Sequence, residues 1–216
     1  MRRMAQTSAV LLRLGTALGL CLGLTLIGPT AQAAVHQHGD AVGDTSLRDV
    51  PGTTSGTTSG MARGRAAVPA AADGLGDITS LVVGHQYDTV DVLVSMVDLS
   101  PTGDAVAVRV RLVTPSGGWS VRVADRKRGG AFSRVVRMRA QGEPGTIDCE
   151  QLTATMDYAL DSVTVRVPRV CLGGDPAWVR VGATSRLREG RRVQFDDAQR
   201  DGLAPRRTTL SRRIVA

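Results

Sequence analysis

Between Asp157 and Ala183 the chain reads DYALDSVTVRVPRVCLGGDPAWVRVGA, and this stretch leaves little choice of fold. Val163, Val165 and Val167 alternate with Ser162, Thr164 and Arg166. Side chains on a strand point alternately to its two faces, so one face here is apolar and the other polar. Such a pattern belongs to a half-buried strand of an antiparallel sheet. Pro168 has no N–H for a ladder, so it ends the strand or lies at an edge. Gly173, Gly174 and Pro176 mark a turn. Val179, Val181 and Ala183 then resume the alternation, with Trp178 and Arg180 on the opposite face.

The same rhythm runs back through the chain. Val90 to Met96, Val106 to Leu112, Trp119 to Val123 and Phe132 to Met138 each alternate, with Arg109, Arg111, Arg137 and Arg139 outward. Turns rich in Gly, Pro and Asp separate them, at Gly84–Asp88, Ser100–Asp104 and Pro115–Gly118, and DRKRGG at 125–130 reads as a charged hairpin tip. Short strands punctuated this way form a sandwich or a barrel. An all-β antiparallel sandwich of about 7–9 strands is expected over residues 73–185. Aromatics are only 3% of the chain, so Val, Leu, Met and Ala must fill its core.

Residues 1–33 read as a secretory leader. Arg2 and Arg3 form a positive start, Leu14 to Ile27 an apolar run, and Ala31-Gln32-Ala33 a small-residue cleavage site, with cleavage expected between Ala33 and Ala34. The run is shorter than the ~20 residues that span a bilayer, so an exported, extracellular protein without a transmembrane segment is expected. Cys21 leaves with the leader. Cys149 and Cys171 then allow one connectivity in an oxidising compartment, a single disulfide. Two free thiols are the alternative, and a metal site lacks a third ligand nearby.

Residues 34–72 are rich in Gly, Ser, Thr and Ala, including VPGTTSGTTSG, and bury too little to offset ordering entropy. A disordered linker is expected there. Residues 186–216 carry nine arginines against four carboxylates and read as a disordered Arg-rich tail. Residues 73–185 are near charge balance. The net charge of +7 is therefore expected to reside in leader and tail rather than on a face of the domain.

Candidate sites are sparse. Arg126-Lys127-Arg128 and the tail present cations to acidic glycans or other envelope polymers, the bland reading being a solvated hairpin. No aromatics interleave with them, so nucleic acid is not an expected partner. Trp178, with Trp119 and Tyr158, is a candidate sugar platform flanked by Arg180; packing beneath the tail is the commoner outcome for such a side chain. Asp73, Asp77 and Asp98 offer oxygen ligands for Ca²⁺. After cleavage, a chain starting Ala34-Val35-His36, with His38 nearby, offers an amino-terminal Cu(II) chelate. Asp91 and Asp98 are a candidate carboxylate pair for hydrolysis. His85 reads as an exposed turn residue, and no serine-nucleophile elbow accompanies it.

The pieces DITSLVV, VDVLVSMVDLS, DSVTVRVPRVCLG, WVRVGA and FDDAQRDG, in that order over about residues 73–203, resemble a group of uncharacterised small secreted proteins of high-GC Gram-positive bacteria. The resemblance implies a β-sandwich with a disulfide near its last strands. It brings no activity, cofactor or catalytic residues. The expected function is a monomeric, non-catalytic extracellular module binding an envelope polymer or protein. A carboxylate-dependent hydrolase and an accessory structural protein are the other two readings.

Overall fold

A computed structural model describes residues 34–40, 46–49, 68–69, 75–100, 103–200 and 208–216. Thirteen strands run through them: β1 Ala34–Gly39, β2 Ser46–Asp49, β3 Val68–Pro69, β4 Ile78–His85, β5 Thr89–Met96, β6 Ala105–Thr114, β7 Gly117–Arg128, β8 Ala131–Ala140, β9 Thr153–Asp157, β10 Ser162–Pro168, β11 Trp178–Glu189, β12 Arg192–Asp197 and β13 Ile214–Val215. One short 3-10 turn, Arg169–Leu172, follows β10. The smaller sheet has the order β1-β4-β5-β10-β9 and the larger β3-β2-β12-β11-β6-β7-β8, with β13 added beside β11. All pairings between these strands are antiparallel.

The sandwich is built by the valine stripes. Val165 of β10 stands opposite Val92 of β5, which stands opposite Val83 of β4. In the other layer Val181 faces Leu112, and Leu112 faces Trp119. All six are buried, five of them completely. Each fully buried Val or Leu contributes about 1.5–3 kcal/mol, so a core almost without aromatics is sustained by the number of its aliphatic contacts. The disulfide Cys149–Cys171 joins the segment before β9 to the 3-10 turn. This excludes free thiols and a thiolate metal site.

Eight strands, β4 to β11, arise from the expected domain, although β11 runs on to Glu189. The other five lie in segments expected to be disordered, and that expectation is corrected for the described residues. Compositional reasoning counted side-chain burial, whereas these segments are held mainly through backbone pairing at sheet edges. β1 pairs with β4 over six residues. In the tail, β11 turns through Gly190, at φ +56°, into β12. Val193, Ala198 and Ile214 are buried there.

His85 is likewise corrected. β4 runs two residues into the expected turn, through Gly84 and His85, and His85 is fully buried on the strand's inward parity. Its Nδ1 lies 3.1 Å from the carbonyl oxygen of Ile214. Among the described residues no helix is long and apolar enough to cross a membrane. The expected leader, including Ala33, lies outside the described residues.

Candidate anion-binding face

The outward face of the larger sheet collects arginines from four strands. Strand register brings them together, because directly opposed residues share a face. Arg109 of β6 stands opposite Arg122 of β7, and Arg122 stands opposite Arg137 of β8. Two residues along, Ala107, Ala124 and Val135 form the next row, which Arg186 of β11 joins. The following row is Arg188, Ala105, Arg126 and Ser133. None of these residues is a carboxylate; the first row continues through Thr184 of β11 to Asp197 of β12, which is buried and accepts two bonds from Thr209.

Ala107 and Ala124 point outward, yet they are only 6% and 3% exposed. A methyl on an outer face is covered only where neighbouring side chains lie across it, and the aliphatic stems of arginine suit that role. The result is a trough with an alanine floor and cationic walls. One cavity of about 300 Å³ is lined by Asp104, Ala105, Ala107, Arg122, Arg126, Lys127, Arg128, Arg186 and Arg188. A second, of about 170 Å³, is lined by Arg122, Ala124, Arg126, Arg128, Ser133, Val135 and Arg137. The two share Arg122, Arg126 and Arg128.

Electrostatics mark Arg122 as the centre. Its burial, and then the like charges of Arg126, Arg109, Arg186 and Arg137, hold its pKa below the ordinary guanidinium value. Asp104 supplies the carboxylate on the rim, where its Oδ2 accepts the Gly190 N–H at 2.8 Å. Its N–H donates to the Arg188 carbonyl and its carbonyl accepts the Lys127 N–H. Asp104 thus fixes the β11–β12 turn to the β7–β8 hairpin, setting the distance between the walls.

The hairpin cations Arg126, Lys127 and Arg128 therefore belong to a site larger than their own turn. The expectation that positive charge sits away from the domain is corrected. A boundary at 185 cut β11 in two, assigning Arg186 and Arg188 to the tail. Near-balance over 73–185 also concealed that Arg109, Arg122 and Arg137 stand in one row, whereas Asp91, Asp125 and Asp175 are paired elsewhere with Arg166, Arg134 and Arg169.

The aromatic platform is not assembled. Trp119 is in the core, Tyr158 donates its hydroxyl to Asp125 at 2.6 Å, and Trp178 lies under the guanidinium of Arg213, 4.5 Å from ring centroid to Cζ. Arg180 is occupied as well, its Nε donating to the Ser211 carbonyl at 2.7 Å. Trp178 and Arg180 anchor the C-terminal segment rather than face a ligand.

The metal candidates fare similarly. His36 and His38 lie on β1, with His36 opposite Val83. An amino-terminal chelate needs the backbone nitrogens of both Val35 and His36, and on a paired edge strand one of two successive amides faces the neighbouring strand. The chelate and β1 as paired exclude each other. Asp73 lies outside the described residues. Asp77 is fully buried, and Asp98 Oδ1 accepts the Ser100 N–H at 2.7 Å. Among the described residues, no three His, Cys, Asp or Glu side chains cluster as a metal site.

Asp91 accepts two bonds from Arg166 and one from Gln86. It sits near the start of β5, whereas Asp98 follows that strand's end. Five strand residues alone, at ~3.3 Å each, separate them by more than about 15 Å, whereas a glycosidase pair needs roughly 5–9.5 Å. Comparison with protein-family models, curated proteins and solved structures finds no match to this chain, so the reading of the arginine face rests on its own residues.

Proposed function

We propose that the protein is an exported, non-catalytic binding module that holds a polyanionic polymer of the cell envelope against the outer face of its larger sheet. The observation that carries this reading is the unrelieved opposition of Arg109, Arg122 and Arg137. Like charges directly opposite on adjacent strands are destabilising. A fold that sets three of them in line, with no carboxylate between, retains repulsion that an anionic ligand relieves. Export rests on the leader, and the non-catalytic assignment on the chemistry each candidate carboxylate is already engaged in.

The test is retention of the mature protein on its own envelope fraction. Arg122→Ala with Arg126→Ala is expected to lower retention, and rising salt is expected to elute the parent protein steeply, as counterion screening requires. Retention that survives both the double substitution and high salt, but is lost in Trp178→Ala, would place binding elsewhere.

A further inference from the structure

The two cavities of the arginine face are small, adjacent and unequal, and these properties restrict the anion more closely than net charge does. We infer that they are paired sockets for two phosphate groups of one flexible chain, a proposal that rests on the polyanion reading and narrows it. The larger socket is lined by six cations, Arg122, Arg126, Lys127, Arg128, Arg186 and Arg188, with Asp104 as its carboxylate. The smaller has four, Arg122, Arg126, Arg128 and Arg137, and no carboxylate.

Charge per volume decides the class. A uronate-type carboxylate brings one negative charge on a whole sugar ring, and about 170 Å³ does not admit several such rings. A phosphate concentrates its charge and several acceptor oxygens on one tetrahedral centre. Guanidinium forks match that geometry, and several can share one phosphate. The alanine floor matters for the same reason. Ala107 and Ala124 hold the anion in the plane of the guanidinium groups, where a longer side chain would lift it out.

The shared wall sets the spacing. The larger socket draws its walls from β11 and β7, and the smaller from β7 and β8. Neighbouring strands lie about 4.8 Å apart, so the socket centres are about 5–10 Å apart. That span suits successive phosphates joined by a short polyol, or alternate phosphates of a phosphoanhydride chain. One ligand then occupies both, with Arg122, Arg126 and Arg128 reaching each phosphate from between. Arg137 serves the smaller socket alone, and Arg186 and Arg188 the larger.

Titration calorimetry on the mature protein tests this with orthophosphate, inorganic polyphosphate, oligo(glycerol phosphate), polygalacturonate and oligothymidylate, each at fixed ionic strength. At least one of the two non-nucleic phosphate chains is expected to bind on the order of tenfold more tightly than orthophosphate and polygalacturonate. Whichever binds better identifies the linkage. Arg137→Ala is expected to bring chain binding down toward the orthophosphate level while leaving orthophosphate binding in place. Arg166→Gln, on the other sheet, is the control and is expected to change neither.

Polygalacturonate binding as tightly as the phosphate chains would overturn the phosphate sockets and leave the polyanion reading standing. Binding of no probe at all would overturn both. Oligothymidylate exceeding the other phosphate chains would transfer the site to nucleic acid and overturn the assignment to an envelope polymer.

Discussion

The imidazole of His85 and the carbonyl oxygen of Ile214, 129 residues apart in sequence, meet at 3.1 Å and tie the smaller sheet to the C-terminal strand. Burial, the largest cause, pushes the His85 pKa below its ordinary 6.5, and Arg169 adds to the shift; the Ile214 bond and Asp175 act against it. The neutral ring with Nδ1–H donating is therefore the form the fold holds.

A stability profile with a defined sign follows. The native state binds fewer protons than the unfolded chain, so this contribution is present above about pH 6.5 and is lost as pH falls through the depressed value of His85. The urea midpoint is expected to drop between pH 7.5 and pH 5. His85→Asn, which keeps a donor but does not titrate, is expected to remove much of that slope. His36, also lowered by partial burial, accounts for a remainder in the same window. A flat profile in the parent protein would contradict this assignment.

Gly182 makes the C-terminal segment a close-fitting strap. A Cβ there would overlap the carbonyl oxygen of Thr209 and crowd its neighbour Thr208. Behind that contact, the Ser211 N–H donates to the Val181 carbonyl at 2.8 Å, and Thr209 donates to Asp197 through both its N–H and its hydroxyl. Gly182→Ala is expected to cost about 1–3 kcal/mol and to raise amide exchange in residues 208–216 before it affects β4 to β10. Hydrogen exchange followed by mass spectrometry measures this directly.

The disulfide closes a loop with a sequence separation of 22. Chain-entropy reasoning assigns roughly 3 kcal/mol to a loop of that size. Cys149→Ser with Cys171→Ser is expected to lower stability by about that amount in denaturant titration. The arginine face lies on other strands and is expected to keep its ligand affinity where the variant remains folded.

Asp125 joins β7 to β8 and to the turn after β9. It accepts two bonds from Arg134, at 2.9 and 2.8 Å, and one from Tyr158. The Arg134 bond is the main cause that holds its carboxyl below the usual range, while burial works against it. Tyr158→Phe is expected to cost about 1 kcal/mol, and Arg134→Ala, which leaves a buried carboxylate without its cation, about 1.5–3 kcal/mol. Thermal melts of the two single variants and the double variant would expose the coupling.

Much of this architecture is legible from residue order alone. Val163-x-Val165-x-Val167 specifies a strand and its inward face because the period of a strand is two and each valine is its own marker. Cys149 and Cys171 could be paired because Cys21 falls in the expected leader, which leaves no third candidate. Register is another matter. That Arg109, Arg122 and Arg137 point outward can be read from the sequence, but that they stand side by side depends on where the β6–β7 and β7–β8 turns begin. His85 was misplaced because Gly84 resembles a turn residue, whereas here it sits inside a strand. Arg186 was assigned to a tail because its composition changes there, although β11 does not stop.

The arginine rows have one more consequence. Three cations held in line by backbone pairing push against the sheet that carries them, and a bound anion removes that push while adding its own binding energy to the folded state. On the proposed polyanion reading, the melting temperature is therefore expected to climb with each increment of ligand and to serve as a gauge of occupancy.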